Sequence, residues 1–212
     1  MCRFIETIRI KDGVAENLQL HNRRMNDTRK YLFLQHHDCI RQKDSSLLED
    51  SQFKDLCLED YISPSEYHEL TRCRVVYSDK IEKVEYFPYT IREIKSLRLV
   101  EDDDVEYTFK SEDRTVLDRN FAKRGDTDDV VIVRNGLLTD TSIANIALCR
   151  DGVWYTPRTP LLKGTRREAL LSRGMLVEKD IPVSGIYEYT KIRLFNAMIF
   201  FGEIELNINT IY

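Results

Sequence analysis

Lys110, in the stretch VEYTFKSEDR, carries an amine that can act as an electrostatic partner, a proton shuttle or, once deprotonated, a nucleophile toward carbonyl carbon. A solvated surface lysine is the plain alternative. Gly164-Thr165-Arg166 precedes an apolar-periodic segment, where helix-start amides and the Thr165 hydroxyl can cradle an anion, or where Thr165 simply caps the helix. His21 and Arg24 lie three residues apart in a helix-like stretch, so one helical face can deliver a basic side chain to a site. Arg114 stands four residues after Lys110 and reads equally as a ligand contact or as an ion pair with Glu112 or Asp118. Asp140, in Leu-Thr-Asp-Thr-Ser, reads locally as a turn-capping aspartate, and Asn145 as a hydrogen-bonding amide at a turn or bulge.

Other chemistry is set aside on residue type and spacing. The four histidines form no HExxH pattern, and neither a G-x-G-x-x-G nor a phosphate-loop motif occurs. Cys2, Cys39, Cys57, Cys73 and Cys149 are odd in number and dispersed without a C-x-x-C pair, which argues against a disulfide scaffold or a zinc site. No metal is expected. The 32 basic residues against 36 acidic ones give a net charge of -4, which disfavours a nucleic-acid-coating surface. MCRFIETIRI lacks a signal-like apolar run and no apolar run approaches bilayer length, so a cytoplasmic protein without membrane attachment is expected.

These candidates need elements to hold them. FIETIRIKDG alternates apolar and polar positions and ends in Asp12-Gly13, which predicts a strand entering a turn. A helix is expected from about residue 18 to 34. Residues 38–62 are polar and acidic, with a possible helix in SQFKDLCLEDYI. Ser63-Pro64-Ser65-Glu66 has the form of a capping box and predicts a short helix to about Thr71. CRVVYS and KVEYFPY predict two antiparallel strands around Ser78-Asp79, with Pro88 ending the second or placing it at an edge.

Residues 88–104 are a candidate domain junction, after which Lys110 is expected at the end of a strand. DVVIVRNG, SIANIALCRDG and VWYTP predict a meander, TRREALLSRG a helix closed by glycine, and RLFNAMIFFGEIEL one or two strands with Asn196 near a turn. The fold class is α+β, without internal repeats. The 212 residues suit one large domain or two small ones.

In common order, FIETIRIKDG, HNRRM, FKSEDR, LLTDTSIANIALCRDGVWYTP, LKGTRREALL and LFNAM resemble segments of the aminotransferase class IV family, nearest its 4-amino-4-deoxychorismate lyase branch. The resemblance implies the pyridoxal-phosphate-dependent fold type IV, a two-domain architecture like that of D-amino acid aminotransferase. A small α/β domain over 1–95 and a larger cofactor-binding domain over 96–212 are then expected. By this resemblance Lys110 carries pyridoxal 5'-phosphate and moves protons, Arg24 binds its phosphate, and Asp140 faces the pyridine nitrogen. Asn145, Gly164, Thr165, Asn196 and Ala197 line the cofactor, and Arg114 holds cofactor or a substrate carboxylate.

The sequence departs from the family in two places. Asp140 stands where glutamate is usual, one methylene shorter, and Lys163-Gly164-Thr165-Arg166 stands where G-I-T-R is frequent. Tyr89, Tyr107 and Arg9 are weaker pocket candidates. The resemblance implies a homodimer acting on a small amino substrate and forming 4-aminobenzoate and pyruvate, a step toward folate. The alternatives are an aminotransferase for branched-chain or D-amino acids, and an inactive scaffold with the same fold.

Overall fold

The computed structural model describes residues 2–41 and 54–212, with side chains omitted for 34–41. The chain forms two compact units, Met1–Tyr89 and Thr90–Tyr212. Among the described residues no helix is long and apolar enough to cross a membrane.

In the first unit, β1 (Phe4–Lys11) turns at Asp12-Gly13 into the short β2 (Val14–Ala15), and α1 (Leu18–Arg41) follows. Strands β3 (Thr71–Tyr77) and β4 (Ile81–Pro88) complete an antiparallel sheet of order β2-β1-β3-β4. Pro88, which cannot donate to a ladder, is the last residue of the edge strand. Ile8, Ile10, Cys73 and Val75 are fully buried, as is Met25 from α1.

The capping-box helix does not form. Pro64–Glu66 makes a single 3-10 turn, and Ser63 caps nothing with its side chain. The next backbone is drawn into tertiary pairing instead: Gly13 N donates to Tyr67 O at 2.9 Å, Asp12 N donates to His68 O at 3.0 Å, and the Tyr67 ring stacks on Tyr86 at 4.3 Å. Carbonyls engaged by a neighbouring turn cannot serve a helix. The possible helix in SQFKDLCLEDYI begins outside the described residues; its described part holds only a 3-10 turn at Leu58–Asp60.

The second unit begins with β5 (Leu97–Glu101), α2 (Thr115–Ala122), β6 (Asp129–Arg134) and β7 (Leu137–Thr141). It continues through β8 (Asn145–Arg150), β9 (Val153–Pro157), α3 (Thr165–Ser172) and β10 (Val177–Lys179). β11 (Lys191–Phe195) and β12 (Ile204–Asn207) close it. The sheet order is β10-β9-β8-β7-β6-β5, with β11 pairing both β8 and β12. The junction segment therefore contains β5, which pairs in parallel with β6.

Asn135-Gly136 and Asp151-Gly152 link β6 to β7 and β8 to β9, and all four residues have positive φ. Such two-residue turns match strand twist and favour Asn-Gly or Asp-Gly. β6 is buried almost throughout because both faces are covered. Val131 and Val133 join a core with Leu138, Ile146, Leu148 and Ile192, whereas Val130 and Ile132 pack with Tyr107 and Leu117 of the α2 side. Burying each such aliphatic side chain contributes about 1.5–3 kcal/mol, which gives the β7–β8 turn a rigid base.

Candidate active site

In the first unit, strand alternation places Glu6 on the inner face of β1, fully buried among Ile8 and Ile10. His21 and Arg24 occupy one face of α1, and both reach it. Arg24 Nε donates to Glu6 Oε1 at 2.9 Å and Arg24 Nη2 to Oε2, while His21 Nδ1 lies 2.6 Å from Oε2. Burial alone pushes the Glu6 carboxyl upward, but Arg24 and His21 outweigh it and hold the group at about 2, below its ordinary 4.5. One edge of the Arg24 fork is thereby fixed against an ionised carboxylate. Sequence reading assigned Glu6 no role. Its signal was an acid at an inward position of an otherwise apolar strand face, meaningful only once a basic helix face lies opposite.

In the second unit, the turn joining β7 to β8 organises the other candidates. Thr141 N donates to Ala144 O at 2.8 Å, and Thr141 Oγ1 accepts from Ala144 N at 3.0 Å. This closes a tight loop and sets Asp140 directly opposite Asn145. Asp140 Oδ1 accepts from Asn145 Nδ2 at 2.8 Å, and Oδ2 accepts from Leu162 N at 2.9 Å. Asn145 Nδ2 also donates to Leu162 O at 2.8 Å. A Cβ on Gly164 would fall 2.2 Å from Asn145 Oδ1, so only glycine lets the backbone pass this amide.

Asp140 is buried too, yet its carboxyl is raised from 3.8 to about 6. Desolvation dominates. The opposing hydrogen bonds from Leu162 and Asn145 are neutral, and the Arg167 charge adds less. Arg167 Nη2 is engaged by Pro157 O at 2.8 Å and Glu178 Oε1 at 2.6 Å. Gly164 is the N-cap of α3, and Thr165 is its first residue and buried. Lys163 is exposed.

Asn196 lies in the turn after β11. Its Nδ2 donates to Ile143 O at 3.0 Å, and its Oδ1 accepts from Met198 N at 2.8 Å and Ile199 N at 2.9 Å. Ala197 O accepts a long contact of 3.5 Å from Arg166 Nη2. Arg114 Nη2 donates to Ser142 O at 2.9 Å, with Asp118 more distant at 3.8 Å. Asp140, Asn145, Gly164, Asn196 and Arg114 thus all bear on, or adjoin, the 140–145 turn.

Lys110 sits in the loop between β5 and α2 rather than at the end of a strand. That loop is tied down locally. Tyr107 Oη donates to Ser111 O at 2.7 Å, Ser111 N donates to Phe109 O at 2.8 Å, and Asp113 Oδ1 accepts from Thr115 N and Oγ1 at 2.9 and 2.6 Å. These bonds fix the backbone on both sides of a half-buried lysine, and Arg114 carries the loop onto Ser142. Tyr107 serves as a support for this loop; the Tyr89 amide donates to Leu70 O at 2.9 Å beside β3.

The chain has an α+β, pyridoxal-phosphate-dependent fold type IV architecture similar to D-amino acid aminotransferase-like proteins. Residues 3–205 match the family described as "Amino-transferase class IV", and the chain belongs to that family. A Haemophilus influenzae protein described only as uncharacterized is 39% identical over 131 residues, 62% of this chain and 70% of that one. A Haemophilus somnus 129PT structure described as a "putative 4-amino-4-deoxychorismate lyase" is 28% identical with a TM-score of 0.78, covering 94% of this chain and 98% of that one. A "hypothetical aminotransferase" from Mycobacterium tuberculosis in its PLP-bound form shares the fold at 16% identity and a TM-score of 0.70, covering 99% of this chain and 81% of that one.

Pyridoxal phosphate is the cofactor that defines this family. The residues present fit it: the close backbone passage at Gly164 opens a helix N-terminus suited to a phosphate, and Asp140 is a desolvated carboxylate suited to a ring nitrogen.

Proposed function

We propose that this protein is a pyridoxal-phosphate-dependent lyase converting 4-amino-4-deoxychorismate into 4-aminobenzoate and pyruvate. The observation that carries this reading is the likeness to the Haemophilus somnus protein, which extends over nearly the full length of both chains. When bound, the cofactor supplies an electron-accepting pyridine ring. Lys110 would hold it through its amine, and its Nζ would take the proton from the amine-bearing substrate carbon. In the first unit Arg24, aimed by Glu6, would suit the phosphate, and in the second the amides at Gly164 and Thr165 would suit it. Asp140 would favour the protonated form of the ring nitrogen, and its raised pKa suits sharing a proton at near-neutral pH. Asn145 fixes the Asp140 rotamer, while Asn196 and Ala197 shape the turn beside it.

The reaction breaks the substrate's bond to the enolpyruvyl oxygen and aromatises the ring. The two products contain all the atoms of the substrate, so no acceptor acid is needed. Arg114 holds a substrate carboxylate from its place on Ser142. The reading includes a homodimer, tested by sedimentation of the loaded protein.

The deciding experiment incubates purified, cofactor-loaded protein with 4-amino-4-deoxychorismate and no 2-oxo acid. 4-Aminobenzoate is expected. Amine transfer that requires a 2-oxo acid, without 4-aminobenzoate, would overturn the lyase in favour of an aminotransferase. Loss of the visible band of the covalently held cofactor in Lys110→Ala is the accompanying expectation; a wild-type protein that never develops the band would sink the enzymatic reading.

A further inference from the structure

We propose that Asp129 is a positioning residue: its buried carboxyl holds Ser142 and through it aims the part-exposed guanidinium of Arg114 at a substrate carboxylate. Asp129 is the first residue of β6, and its side chain is wholly shut off from solvent. Antiparallel register pairs Val131 with Thr141, so Asp129, two residues earlier, lies beside the tip of the 140–145 turn. There the hydroxyl and the amide of Ser142 both donate to its carboxylate. Val130 N donates to Oδ1 at 2.8 Å, and Arg92 Nη2 donates to Oδ2 at 3.0 Å.

Burying a carboxylate costs free energy that an apolar side chain would not, and here its bonds set the direction of a carbonyl. Two bonds from one residue fix the course of the chain through Ser142. The next peptide is held from its other side, because Ile143 N donates to Thr141 Oγ1 at 3.2 Å. In a trans peptide the carbonyl points opposite the N–H, so Ser142 O is turned outward, where it accepts from Arg114 Nη2 at 2.9 Å. The two following carbonyls, Ile143 O and Ala144 O, are taken by Asn196 Nδ2 and Thr141 N.

Arg114 has donors to spare. Among the described residues its one partner at hydrogen-bond distance is Ser142 O, and Asp118, an exposed acid, is 3.8 Å away. Its side chain is 31% exposed, so an anion reaches the rest of the fork from solvent. Burial pushes the Asp129 carboxyl upward, and the Ser142 hydroxyl opposes that more strongly than the charge of Arg92, whose side chain is half exposed. The tie to Ser142 and the ion pair with Arg92 can therefore be separated.

The inference rests on the proposed reaction for the role of Arg114, so its test includes measurements that need no turnover. In the full chain loaded with pyridoxal phosphate, hydrogen exchange at the Ser142 amide should quicken roughly tenfold or more in Asp129→Ala, less in Asp129→Asn, and little in Arg92→Gln. Labelling of Arg114 by phenylglyoxal, located by mass spectrometry, should rise in the same order. A merely structural Asp129 would instead speed exchange throughout the second unit as Tm falls. With 4-amino-4-deoxychorismate as substrate, Asp129→Ala should raise KM by roughly five- to tenfold, the scale of one lost hydrogen bond, with kcat within about twofold. Arg114→Gln should raise KM at least as much, and the double variant no further.

Exchange at Ser142 within about twofold of wild type in a folded Asp129→Ala protein would overturn the proposal, as would KM losses that add in the double variant. Arg92→Gln that matches Asp129→Ala in exchange and labelling would overturn it too, by assigning the effect to the ion pair. Should Asp129→Ala fail to fold, Asp129→Asn and Ser142→Ala are read against the same expectations. A wild type without turnover would fault the proposed reaction alone, because exchange and labelling still decide whether Asp129 aims Arg114.

Discussion

Glu6 and Asp140 are both buried carboxylates, one in each unit, and their acidities move in opposite directions. Burial pushes each upward. Glu6 touches a guanidinium and an imidazole and ends at about 2; Asp140 touches two neutral amides and ends at about 6. Depth alone therefore does not set the charge state of a buried acid. What matters is whether its contacting donors carry charge of their own. The first unit holds a fixed ion pair suited to aiming a cation, and the second holds an acid that can give or take a proton near neutrality.

The largest expected effect comes from Glu6→Gln, which strips the ion pair of its anion while leaving Arg24 and His21 against the core. Loss of about 3–5 kcal/mol of stability is expected, as when one partner of a buried pair is removed. Urea denaturation read against wild type measures it, and a loss below about 1 kcal/mol would place Glu6 among surface pairs. The pH response follows the same contrast. Glu6 has a folded pKa below its unfolded one, so its stabilising contribution is complete above 4.5 and is lost as pH falls toward about 2. Asp140 has a raised folded pKa, so its unfavourable contribution grows as pH rises from 3.8 through about 6. Stability curves of Glu6→Gln and Asp140→Asn, each subtracted from wild type, should slope in opposite senses within those two windows.

Gly164→Ala comes next. Its Cβ would meet a hydrogen-bonded amide rather than a loose side-chain end, and such overpacking costs about 1–3 kcal/mol. Adding Asn145→Ala should recover part of that loss, and simple additivity in the double-mutant cycle would contradict the contact. Asp140→Asn is smaller still. One acceptor is lost, but so is a desolvated charge, and the two offset to a net change of about 1 kcal/mol or less. Turnover in the proposed reaction should fall far more than stability, which separates a chemical role from a scaffolding one. Lys163→Ala, at an exposed position, should change Tm and cofactor affinity little, within about 0.5 kcal/mol.

Much of the fold was legible because its signals are local. Asn-Gly and Asp-Gly turns require positive φ, and alternating strands around them announce hairpins at 12–13, 135–136 and 151–152. The exception, the capping box at residues 63–66, shows where local signals fail: the carbonyls of Tyr67 and His68 are claimed by the turn at Asp12-Gly13, more than fifty residues earlier in the chain. The candidate site was legible as residue types. Lys110, Asp140 and Arg24 stood out by chemistry and order. Their supports did not, because Glu6, Leu162 and Ser142 act through a buried carboxylate or a backbone group that no side-chain pattern announces.

The sequence by itself determined the hairpins, the α+β character and the family pattern, and it offered candidate groups for a cofactor, since these follow from backbone preferences and side-chain chemistry within short stretches. Only the tertiary structure decided how those groups are set. It placed Arg24 and His21 on one carboxylate, gave Asp140 neutral partners, pressed Asn145 against Gly164, and opposed Arg9 to Arg72 across a strand pair. Electrostatic interaction depends on separations of a few ångströms in a poorly screened interior. Those separations arise from strand register and helix placement, and no spacing along the chain contains them.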